Sequence, residues 1–140
     1  RMRVATLIDN DDLVPMASDE DYYVRLVVAR RLAPLLLGRM IEDQEAEVRR
    51  VVARRIPDEW LLGMINDRDA AVRLEIAQRL SPELLALMRR DPDWRIRYEV
   101  ASRAAAGELM GLVEDQDGLV REVARSRVAV RLERETGASV

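Results

Sequence analysis

The sequence has no cysteine, no histidine and no lysine. Without cysteine there is no disulfide, no thiol nucleophile and no thiolate-bound metal within these 140 residues. Without histidine the commonest metal ligand and the commonest acid–base catalyst are both missing. Serines such as Ser81 and Ser102 therefore have no imidazole to activate them. No apolar run approaches the roughly 18–20 residues of a membrane span, and no signal or lipidation motif is present. The expectation is a soluble, cytoplasmic chain with no membrane partner. A glycine-rich phosphate loop is absent as well. "DQDG" (Asp115 to Gly118) and "DNDD" (Asp9 to Asp12) are fragments of a calcium-loop pattern without its other ligands or closing glutamate. The expected catalytic and metal sites are therefore none.

Hydrophobic residues make up 49% of the chain, enough to bury a core. All 23 basic residues are arginine. That is either a preference for bidentate partners or the coding bias of a GC-rich genome. The net charge of −3 argues against a dedicated nucleic-acid binder.

Order appears as a repeat of 24 residues. "VRLVVARRL" from Val24 returns as "VRRVVARRI" from Val48, "VRLEIAQRL" from Val72 and "IRYEVASRA" from Ile96. Aspartate recurs at Asp19, Asp43, Asp67, Asp91 and Asp115, and an acidic residue follows two places later each time. Arginine recurs at Arg25, Arg49, Arg73, Arg97 and Arg121, and again at Arg31, Arg55, Arg79, Arg103 and Arg127. We read one repeat domain over 1–140: a partial repeat at 1–18, repeats from 19, 43, 67 and 91, a degenerate capping repeat at 115–136 and a tail at 137–140. Arg1, Val4, Ala5 and Ile8 already sit in the frame, so the chain reads as a piece of something longer.

Within a unit, Asp21 is a good N-cap and predicts a helix from Tyr22. Pro34, Pro57 and Pro82 limit such helices to about three turns. At about 100° per residue, Val24, Val28, Leu32 and Ala29 share one apolar face. Leu37 and Met40 then stand three apart, as a 3₁₀ turn requires, with a short α-helix as the alternative. No stretch alternates with period two, so no strand is expected. A single unit is too small to bury a core and must stack on its neighbours.

The pattern D-x-[DE]-x-x-V-R-x-x-V-A-x-R-L-x-x-x-x-L-x-x-M covers nearly the whole chain and resembles the leucine-rich repeat variant family. The resemblance implies an all-α fold: a right-handed superhelical solenoid of alternating α-helices and short 3₁₀-type helices, with no β-sheet. It also implies that a [4Fe–4S] domain can precede the repeats. This chain has no cysteine to ligate such a cluster, so the cofactor would belong to an upstream region.

Three groups of residues are candidates for a role. The arginine beside each first valine falls inside the apolar arc, where a lone charge is costly. Asp19, Asp43, Asp67, Asp91 and Asp115 are its expected partners, forming with Arg25, Arg49, Arg73, Arg97 and Arg121 a structural ladder within or between units. Tyr22, Leu26, Leu74, Trp94, Arg95 and Tyr98 lie on the outer face and compose a candidate protein-binding patch. Arg30, Arg31, Arg54, Arg55, Arg79, Arg103 and Arg127 compose a candidate anion stripe, whose alternative role is to offset helix dipoles. The expected function is a non-enzymatic scaffold for protein–protein interaction, possible in a redox assembly if the upstream domain exists. The alternative is nucleic-acid binding through the stripe.

Overall fold

Asp21 opens the first full-length helix, its carboxylate accepting a hydrogen bond from the Tyr23 N–H at 2.9 Å. In the computed structural model, which describes residues 10–137, the same capping bond recurs at Asp69, Asp93 and Asp117. The described residues fall into two compact units, one through Arg79 and one from Leu80 onward. Among them there is no strand. The frame residues Arg1 to Ile8, the Asp9 end of "DNDD" and the tail at 138–140 lie outside the described residues.

The first unit contains α1 (Asn10–Leu13), η1 (Val14–Ser18), α2 (Tyr22–Arg31), η2 (Pro34–Met40), α3 (Ala46–Arg55), η3 (Asp58–Met64) and α4 (Ala70–Arg79), where η denotes a 3₁₀ helix. The α-helices pack side by side, α2 on α3 and α3 on α4, with η1, η2 and η3 against them. Val24, Val28 and Leu32 are fully buried, as are Val48, Val52 and Ile56 one repeat on. Ala29, Ala53 and Ala77 are buried too, and their small side chains let neighbouring helices approach closely.

α2 and α3 end in the same way. Leu32 leaves the helical region (φ −61°, ψ 143°) while its N–H still bonds the Val28 carbonyl at 2.8 Å. The backbone then runs into the short helix through Pro34, which already has the φ a helix start needs. Leu37 and Met40, three residues apart, point inward from η2 and are buried.

The second unit contains α5 (Pro82–Leu85), η4 (Ala86–Met88), α6 (Trp94–Arg103), η5 (Ala106–Glu108), η6 (Met110–Leu112) and α7 (Gly118–Gly137). Its short layer is of mixed kind: one α-turn before η4, and then the two 3₁₀ pieces η5 and η6. Ile96, Val100, Leu109, Leu112 and Val120 are buried. α7 runs for 20 residues, twice the length of α6. Its first half keeps Val120 and Ala124 buried; residues 129–137 are all exposed.

Candidate functional site

The helix starts carry two acidic residues with separate tasks. In all five repeats the first aspartate accepts a hydrogen bond from the backbone N–H two residues on: Asp21 to Asp19, Glu45 to Asp43, Asp69 to Asp67, Asp93 to Asp91 and Asp117 to Asp115, at 2.8–2.9 Å. This is an Asx turn. The second acidic residue caps the helix in four repeats, through Asp21, Asp69, Asp93 and Asp117. Glu45, one methylene longer, makes no such bond.

Onto these turns come the arginines. Arg25, Arg49, Arg73, Arg97 and Arg121 each donate through Nη1 to the carbonyl of the aspartate six residues back, at 2.7–2.8 Å. In the first unit Arg25 also grips Asp43, and Arg49 grips Asp67, each with two hydrogen bonds of 2.9–3.3 Å. In the second unit Arg97 grips Asp115 at 2.8 and 3.1 Å. The carboxylate reached is thus the one 18 residues ahead, at the head of the next repeat. Burial alone would raise the Asp115 carboxyl. Hydrogen bonds from Arg97 and from the Asp117 N–H, with the charges of Arg97 and Arg121, hold it below the ordinary aspartate range. Open clefts of about 660, 460 and 400 Å³ lie at the Arg25–Asp43, Arg49–Asp67 and Arg97–Asp115 pairs, so these hollows recur with the frame.

The second arginine column is engaged in a way its sequence position does not suggest. Arg55 donates to the Ala29 carbonyl at 2.6 Å, Arg79 to Ala53 at 2.8 Å and Arg127 to Ala101 at 2.9 Å, each 26 residues back. These carbonyls lie in the last turn of the preceding helix, where the helix itself provides no donor. Pro57 follows four places after Ala53 and has no N–H to offer. Arg103 donates to the Leu80 carbonyl at 2.7 Å and pairs with Glu99. Arg30 and Arg31 are exposed at the end of α2.

The residues of the outer face are placed unequally. In the first unit Leu26 is only 7% exposed, which corrects its assignment to a surface patch. α2 is flanked by α3 on one side and η1 on the other, so its buried arc is wider than a single apolar stripe. Leu74 is half-buried. Tyr22 is half-buried and stacks on the exposed Tyr23 with ring centroids 4.2 Å apart. A side-chain hydrogen bond with Tyr23 that favours the protonated form is the main reason its phenol is pushed up to about 12. In the second unit Trp94 and Tyr98 are 42% and 37% exposed and meet edge to face at 6.3 Å. Arg95 beside them is held by Asp93 at 2.8 Å. Trp60 on η3 is half-buried, with Cζ3 beside Gly38.

One group escapes the repeat columns. Arg50 and Arg54 on α3 both bond Glu75 on α4. Periodicity does not find such a cluster, because its three members do not recur together. Among the described residues no set of three or more acidic side chains is arranged to hold a metal ion. No helix among them is long and apolar enough to cross a membrane.

No family model matches the sequence, and no curated protein does. Among solved structures, the chain is similar to a leucine-rich repeat variant with a novel repetitive structural motif. The identity is 35%, the TM-score 0.84, and the match covers 91% of this chain. It covers 54% of the other, so the chain spans about half the length of that protein. A 24-residue unit of one α-helix and one short, mainly 3₁₀ segment, without strands among the described residues, agrees with that likeness. The chain belongs to the leucine-rich repeat variant family.

Proposed function

We propose that the chain is a non-enzymatic scaffold that binds another protein, with Trp94 and Tyr98 as the anchor. The repeat fold supports a scaffold role in general. The observation that carries the finer reading is the aromatic pair, two large rings half open to solvent on one face of α6. The same positions in other repeats hold Tyr22, Ala46, Ala70 and Gly118, and Leu26, Arg50, Leu74 and Glu122. The pair is therefore not demanded by the repeat. Rigid aromatics of this kind dominate interface hot spots.

In this reading the recurrent arginines serve the frame. Arg55, Arg79 and Arg127 give donors to backbone carbonyls, and Arg54 gives its own to Glu75. That favours a protein partner over nucleic acid. An upstream [4Fe–4S] domain serving a redox assembly belongs to the same proposal by family resemblance alone. This chain's own donor set, without cysteine or histidine, does not fit such a cluster.

Affinity capture with the wild-type chain and with Trp94→Ala/Tyr98→Ala tests the anchor. The expected result is loss of a salt-tolerant partner with unchanged helicity and melting. An unchanged set of partners contradicts the anchor. Capture that disappears steeply with salt, in the manner of phosphate contacts, favours nucleic acid instead.

A further inference from the structure

Arg50 and Arg54 stand one turn apart on α3 and converge on a single oxygen of Glu75. Arg50 Nε lies 3.0 Å from Glu75 Oε1; Arg54 Nε and Nη2 lie 2.9 and 2.8 Å from it. The carboxylate is mostly covered, its side chain 14% exposed, while the arginine side chains are 49% and 51% exposed. Two cations on one anion leave a local surplus of one positive charge. Among the described residues, both Nη groups of Arg50 and Nη1 of Arg54 have no protein acceptor. Glu47, one turn earlier on α3, forms no ion pair with either.

The surplus is a point, not a track. One repeat either side of Arg50 the chain has Leu26 and Leu74; after Arg54 it has Gln78. Only Arg30, exposed one repeat before Arg54, adds a cation in the same columns. A nucleic-acid backbone presents regularly spaced single charges and needs a row of partners. A phosphomonoester concentrates close to two charges and three acceptor oxygens in one place. The two open Nη groups of Arg50 suit it, because a guanidinium binds an oxyanion through paired hydrogen bonds, and Nη1 of Arg54 adds a further donor. Glu75 holds both long side chains in position beforehand, which lowers the cost of ordering them on binding.

We propose that Arg50 and Arg54, braced by Glu75, bind a phosphomonoester carried on a side chain of a partner protein. The site shares no residue with the aromatic pair and stands whether or not Trp94 and Tyr98 bind anything. Capped phosphoserine, capped serine and a single-stranded oligonucleotide are titrated into the chain while the arginine Nε–H resonances are followed by NMR. The expected result is a saturable shift of the Arg50 and Arg54 resonances with capped phosphoserine and none with capped serine. Arg50→Gln/Arg54→Gln should weaken that binding at least about tenfold, with the melting temperature little changed. The proposal is overturned if other arginine resonances move and these two do not, or if the double variant binds as the wild type does. It is overturned equally if the oligonucleotide binds more tightly, with affinity rising with its length. The wild-type titration decides the matter even if the double variant folds poorly.

Discussion

Arg49 and Asp67 lie 18 residues apart in sequence and meet through two parallel hydrogen bonds, Nε to Oδ2 at 2.9 Å and Nη2 to Oδ1 at 3.2 Å. The third corner of the same guanidinium donates to the Asp43 carbonyl at 2.7 Å. Asp43 opens the helix that carries Arg49, and Asp67 opens the next. One planar cation thus joins two successive helix starts, a geometry that a lysine ammonium cannot copy.

Removing that cation should be costly. The two side chains are 3% and 8% exposed, so Arg49→Ala leaves a covered carboxylate without its partner. The expected loss is about 3–5 kcal/mol, read by urea unfolding. Arg49→Lys should recover only part of it, since the fork is gone.

Neighbouring arginines on α3 should behave very differently. Arg55 Nη1 bonds the Ala29 carbonyl; the Ala33 N–H, which would otherwise serve it, goes to Asn10 Oδ1. Arg55→Ala should therefore cost about 1.5–3 kcal/mol. Arg54, half exposed in its pair with Glu75, should cost at most about 1 kcal/mol on the same change. Equal losses for the two would contradict the carbonyl-capping role.

The stability of the second unit should depend on pH through Asp115. Its folded carboxyl is held below the ordinary value, chiefly against its own burial, by Arg97 and the Asp117 N–H. A lowered folded pKa contributes stability above the unfolded value and loses it as pH falls through the folded one. Asp115→Asn should be less stable than wild type near neutrality, and the gap should close in acid. Parallel stability curves down to low pH would count against the pair.

Gly63 offers a gain. No described glycine has positive φ, and a Cβ built on Gly63 meets nothing within 4 Å. Gly63→Ala should stabilise by about 0.4–1 kcal/mol, because alanine restricts the unfolded chain without straining the folded one. A lower midpoint in thermal unfolding would refute this.

Much of the fold is legible in the columns. Asp21 marks a helix start, Pro34 marks the next element, and Leu37 with Met40 marks the short layer; each does so because a local rule, capping or fixed φ, governs it. The direction of the ladder is not legible. A period of 24 places an identical aspartate in every unit and is silent on which of them Arg49 reaches. The same blindness hides the bond from Arg55 back to Ala29, since a backbone carbonyl leaves no trace in residue type. Leu26 misleads for another reason: a helical angle gives the outer face but not the width of the arc its neighbours cover. Arg50 is alone in its column, and Arg54 and Glu75 recur only once each, as Arg30 and Glu99, so the cluster emerges only when α3 and α4 are side by side.

The central claim is that the repeated arginines are frame and not readers of a ligand. A double-mutant cycle on Arg49→Ala and Asp67→Ala, followed by chemical unfolding without any partner, tests it most directly. The account predicts two large single losses and a coupling energy of about 1.5–3 kcal/mol between them. Single losses near zero, or losses that add within about 0.5 kcal/mol, would contradict it.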